Sequence, residues 1–212
     1  MMQRSRVVNT LSIPVLVAVI LAGNIYGAAL VLIWVAASRT PWSEIGFTRW
    51  PRWRREALLA LIGGALLKIL QKAVVVPLFG LPPMNAADHF LVGNTAALEQ
   101  LLVIIVIGAG FGEELIWRGF LFERLTALLG RKPWASAAMV AGGAFLFGLA
   151  HLHDQGWPGV VQSTIVGLVL GTVYARLKRI WPIMIAHAAF DVTAAFMIYL
   201  NREEWFARLL WH

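Results

Sequence analysis

The chain has 212 residues, of which 59% are hydrophobic and only 14% charged, with a mean hydropathy of +0.73 and a net charge of +7. A soluble domain carries about 25% charged residues, so the composition excludes an ordinary soluble enzyme and describes one polytopic membrane domain, residues 1–212. With no cysteine, disulfides and thiolate metal sites are excluded too.

The lysines and arginines collect between hydrophobic runs, as the positive-inside rule expects, and leave no nucleic-acid footprint. The first such run is Val7 to Ser38. It follows the basic start Met1 to Arg6 in the manner of a signal peptide. At about 30 residues, however, it far exceeds an h-region of roughly 7–15 and reads as a retained anchor. Gly23-Asn24 near its middle could form a turn. Two halves of about 15 residues would each fall short of the ~20 needed to span, so one long or tilted helix is expected. Arg39 to Arg55 follows, with Trp42, Trp50 and Trp53 among Arg49, Arg52, Arg54 and Arg55. Tryptophan favours the headgroup level and arginine favours anionic lipid, which predicts an interfacial segment on the cytoplasmic face.

Ala57 to Leu78 is the second span. Lys68 and Lys72, four residues apart within it, should line a cavity or meet an acidic partner. Phe79 to Thr95 is a loop with Pro82-Pro83 and no basic residue, suited to the outer side; His89 reads as exposed there. Ala96 to Leu129 is a third apolar stretch, in which Gly108, Gly110 and Gly112 permit a kink or a close helix approach. Gly130-Arg131-Lys132-Pro133 ends it with a C-cap glycine, basic residues at the negative helix end, and a proline. Trp134 to Leu152, Gly159 to Leu177 and Trp181 to Leu200 complete an expected six-span, all-α bundle (seven if the first run is a hairpin). Asn201 to His212 reads as an amphipathic tail on the membrane surface. The loops 39–55, 118–132 and 176–179 carry twelve basic residues against four elsewhere outside the spans, which assigns them to the cytoplasm; the cell membrane of a prokaryote is the expected location.

The chemistry centres on Gly112-Glu113-Glu114-Leu115-Ile116-Trp117-Arg118. An ionisable residue in a span costs about 2.5–3.5 kcal/mol on insertion scales, and three fall here within six residues. Glu114 and Arg118 are spaced to pair on one helix face. Glu113 is rotated about 100° away and stands as the working carboxylate. His151, His187 and Asp191 are the other titratable groups in this set, and His187 and Asp191 also sit four apart. That spacing suits two metal ligands or an imidazole oriented by a carboxylate. Polar groups in a bundle face inward and should converge. If the segments around the turn near Arg131 form an antiparallel hairpin, Glu113 and His151 match in depth to about 3 Å. Across the turn near Arg179, His187 falls about 16 Å from His151, a gap that tilt, a kink or a re-entrant segment has to close.

Glu113-Glu114-x-x-x-Arg118, Phe147-x-x-x-His151 and His187-x-x-x-Asp191, in this order on hydrophobic segments, resemble the three motifs of the CAAX protease and bacteriocin-processing (CPBP) family of intramembrane proteases. This family includes the type II CAAX prenyl endopeptidases. The resemblance covers roughly 96–195, a protease-motif core. It implies peptide-bond hydrolysis in a membrane cavity, with Glu113 as general base on water, His151 assisting, and His187 and Asp191 stabilising the oxyanion or holding a metal with Glu113 and His151. Glu114 and Arg118 would shape the site. Where many members have Asn, this chain has Asp191. An ionised carboxylate cannot donate to an oxyanion, so Asp191 points to a metal-ligand, His-orienting or protonated role. The family mechanism is read both as a zinc metalloprotease and as a metal-independent glutamate protease, and this inventory serves either.

Membrane lipid and a membrane-anchored or membrane-proximal peptide, entering laterally or from the cytoplasm, are the implied partners, with no nucleic acid. A prenylated substrate follows only from the family name, because the motifs encode hydrolysis rather than lipid recognition. No His-Glu-x-x-His, no Gly-x-Ser beside the motifs and no second intramembrane aspartate offers another protease chemistry. The competing functions are a catalytically idle membrane adaptor and a proton- or cation-handling transporter. A transporter built on an inverted repeat would need counterparts of Glu113, His151 and His187 in residues 1–95, and there are none.

Overall fold

The computed structural model describes residues 6–130 and 132–211. Most of those residues are helical, with no strand among them. In chain order the helices are α1 (Arg6–Ala22), α2 (Asn24–Ala37), α3 (Trp53–Leu78), α4 (Thr95–Leu129), α5 (Pro133–Ala150), α6 (Leu152–Leu177), α7 (Trp181–Tyr199) and the short α8 (Glu203–Ala207). Four of them, α3, α4, α6 and α7, are long and apolar enough to cross a membrane; α2 and α5 are apolar but shorter. Leu58, Leu59, Ile62 and Leu66 of α3 project outward and exposed, a surface that water would not tolerate and lipid would.

The six-span expectation meets its main correction at the first apolar run. Residues 7–38 are not one helix. Gly23 adopts φ +61°, which a side chain would resist, and Asn24 follows at φ +31°. The chain bends so sharply that a Cβ on Gly27 would strike the carbonyl of Val19 and the side chain of Ile116. Both arms pack on α4: α1 against Leu121–Leu129, α2 against Ile105–Phe120.

Helix ends elsewhere follow local chemistry. Asn94 caps α4, its side chain accepting from the Ala97 N–H at 3.2 Å. Gly130 (φ +77°) stops α4 and Pro133 opens α5. The turn between α5 and α6 reaches Gly156 at φ +61°, inside what otherwise continues as α6.

Two tight pairs organise the bundle. Helices α5 and α6 form an antiparallel hairpin, and α3 runs alongside α7. At the second contact Gly64 is required, because a Cβ there would overlap the backbone carbonyl of Ala186. Helices α6 and α7 touch only lightly. The 16 Å depth mismatch expected for His187 assumed that these two were packed neighbours. Helix α7 instead takes its level from α3 and α4.

At one end the basic segments close over a dry core. Glu56 and Arg179 pair at 2.6 Å, the Ile180 N–H donates to the Gly46 carbonyl at 3.0 Å, and Phe47 meets Trp181. Ile45, Leu115, Phe120, Ile180 and Ile183 are fully buried just beyond. At the other end Lys72 Nζ donates to Glu203 at 2.7 Å, and the Asn85 N–H donates to the same carboxylate at 3.1 Å. Trp211 Nε1 donates to the Ala73 carbonyl at 2.8 Å. The tail expected to lie on the membrane surface is therefore docked onto α3.

Candidate active site

The middle of α4 is not a regular α-helix. Ile105–Glu113 and Leu115–Phe120 are π-helical, separated by Glu114. Such widened turns occur mostly at functional sites. Close packing holds this one: a Cβ on Gly112 would sit 3.0 Å from the Asn24 carbonyl, and one on Gly110 would press on Ala188.

Glu113 and Glu114 face different surroundings. Glu114 is fully buried. Its Oε1 accepts Arg118 Nη1 at 2.6 Å and His187 Nδ1 at 2.6 Å. The Arg118 pairing follows from the spacing. The His187 bond, across 73 positions, has no signal in the sequence. Phe147 is the hub of this buried side. The Arg118 guanidinium lies 4.6 Å from its ring centroid, and the rings of His151, Trp117 and His187 stand 4.8, 5.7 and 5.9 Å from it. Only its neighbour His151 was legible beforehand, from the four-residue spacing.

Glu113 is half-buried and lines a cavity of about 400 Å³. His151, His187 and Asp191 line it too. Of the six predicted site residues, these four reach the cavity, while Glu114 and Arg118 lie behind the wall. His151 Nδ1–H donates to the Phe147 carbonyl at 2.8 Å, which leaves Nε2 for the cavity. His187 Nδ1 is held by Glu114, and its Nε2 stands 3.4 Å from Asp191 Oδ2. Lys68 and Lys72 also line the cavity, as does Asn24. Asn24 was read beforehand only as part of a turn, although a lone amide in an apolar run is itself a signal.

Two imidazoles, each with Nδ1 bonded to a protein acceptor, have the chemistry of zinc ligands. Their placement does not fit the ion. Among the described residues no three His, Asp or Glu side chains stand close enough together to hold a metal.

A carboxylate and two oriented imidazoles thus share one polar cavity inside an apolar helical bundle. Residues 96–193 match the family described as type II CAAX prenyl endopeptidase Rce1-like. That stretch, a little under half of the chain, contains all three motifs and is similar to this family of CAAX-type intramembrane proteases. No curated protein and no solved structure matches the chain.

Proposed function

We propose that the protein is an intramembrane endopeptidase that hydrolyses a peptide bond of a membrane-anchored or membrane-proximal substrate. The observation that carries this reading is the split between the two adjacent carboxylates: Glu113 faces the cavity beside His151, His187 and Asp191, while Glu114 is spent on fixing His187. Glu113 takes a proton from water as the water oxygen attacks the scissile carbonyl carbon. His151, through Nε2, orients that water. His187, when doubly protonated, donates from Nε2 to the oxyanion as the tetrahedral intermediate forms. Asp191 Oδ2 stands 3.4 Å from this nitrogen and orients it, a role open to Asp as an acceptor. Glu113 then passes its proton to the departing amine as the C–N bond breaks.

On this reading the protein works in the cell membrane of a prokaryote, and the distribution of its lysines and arginines supports basic loops in the cytoplasm. The family name brings a prenylated substrate into the range of substrates to be tried. Glu113→Gln is the direct test. Membranes carrying the wild type should contain cleavage products that are missing with the variant. Identical peptide profiles from equal amounts of folded protein would replace hydrolysis by an adaptor or transporter role. Chelation by EDTA should leave cleavage unchanged; a loss restored by zinc would give the water to a metal instead.

A further inference from the structure

We propose that the cavity opens to the extracytoplasmic side of the membrane, and that the substrate class is membrane-anchored chains whose scissile segment is presented on that side. The substrate class rests on the hydrolytic reading above; the sidedness does not.

Contacts sort the chain into two faces. The Glu56–Arg179 pair ties the start of α3 to the start of α7, and the Ile180–Gly46 bond adds the segment after α2. This face holds five arginines between 39 and 55, and three basic residues between 176 and 179. The opposite face is tied together by Lys72–Glu203, Asn85–Glu203 and the Gly93 N–H donating to the Tyr199 carbonyl at 3.0 Å. Its loop 79–94 and its turn 151–158 contain no lysine or arginine. Its tail contains only Arg202 and Arg208, and Arg208 is paired with Glu204. Short loops rich in lysine and arginine stay in the cytoplasm, so the second face lies outside.

The cavity belongs to the second face. From Glu113 and His187 its walls run outward through Asp191, Lys68 and Gln155 to Asn85, Asp88 and Glu203. No residue of 39–55 or 176–181 lines it. Below the site the way is shut by the fully buried Ile45, Leu115, Phe120, Ile180 and Ile183. Water and peptide therefore reach Glu113 from the face that lacks basic loops. This reading takes the place of cytoplasmic entry while leaving lateral entry open, and on it a cytoplasmic tail, prenylated or not, falls outside the substrate class.

The chain has no cysteine, so single cysteines report the side directly. Asp154→Cys marks the mouth, Ser163→Cys the cavity wall, and Ser43→Cys the basic face. In spheroplasts expressing the full chain, a small membrane-impermeant thiol reagent should label positions 154 and 163 from outside. Position 43 should label only after permeabilisation. The reverse pattern overturns the proposal and leaves hydrolysis standing. Labelling at 154 with position 163 protected from both sides also overturns it, because the wall would then be closed. If Asp154→Cys does not accumulate, His153→Cys, whose side chain is 98% exposed, reports the same turn. Outside labelling together with an unchanged peptide profile for Glu113→Gln would remove the hydrolytic reading and keep the sidedness.

Discussion

Helix α4 crosses two environments that change at one peptide bond. Toward Leu129 it runs through dry packing, where Glu114 and Arg118 survive only by pairing. Toward Thr95 it runs along a polar cavity, where Glu113 is left available. Two identical residues, adjacent in sequence, thus receive different work from the direction each side chain takes. Burial and bonding, rather than residue type, separate a carboxylate left open to the cavity from one that holds its neighbours in place.

The sharpest way to break this comparison is to neutralise each carboxylate system in turn. Glu113→Gln keeps shape and removes the base. Cleavage should fall by at least about 100-fold, the low end for general base catalysis, with the thermal midpoint in detergent unchanged. A shifted midpoint with normal cleavage would exchange the roles of the two glutamates. Arg118→Met should do the opposite, because it strands a buried charge on Glu114. Its cost should be about 3–5 kcal/mol of stability, read from unfolding in detergent. Adding Glu114→Gln to that variant should recover much of the loss.

The packing that sets the level of His187 gives a smaller effect. Gly64→Val forces a side chain into the Ala186 carbonyl and should cost about 1–3 kcal/mol, the usual penalty for overpacking. Because α7 would move with it, cleavage should decline as well; full stability would show that α3 and α7 can separate freely. The smallest effect belongs to the cavity mouth. Burial pushes the Asp88 carboxyl above its ordinary range, and Glu203 adds to this, while the hydrogen bond from Asn85 opposes it. The folded chain therefore keeps that proton after the unfolded chain has lost it. Stability should decline as pH rises from the ordinary aspartate value through the raised one. Asp88→Asn should remove that decline, and an identical pH profile would place Asp88 in open water.

The sequence carried the all-helical class, the cap and break at Gly130 and Pro133, the Glu114–Arg118 pair and the need of Lys72 for an acid. Each of these rests on spacing or on the cost of a polar group in an apolar run, which are local properties. What it did not carry is non-local. The bend at Gly23 looked improbable because each arm was judged as a separate span rather than as a pair resting on α4. The π-helical turns replace one backbone hydrogen-bond register with another, and side-chain type does not encode that choice. The partners of His187 and the central position of Phe147 depend on which helices are neighbours. Chain order suggested α6 and α7; packing chose α3 and α7.

The bend at Gly23 also bears on how the molecule is made. Its arms of 17 and 14 residues are each shorter than the ~20 that hold a helix across a bilayer. The surfaces that seat them, at Gly112, Ile116 and Leu121–Leu129, are synthesised later. This segment is thus made before the surfaces that seat it, and the wall it contributes through Asn24 is completed only when those surfaces have been inserted.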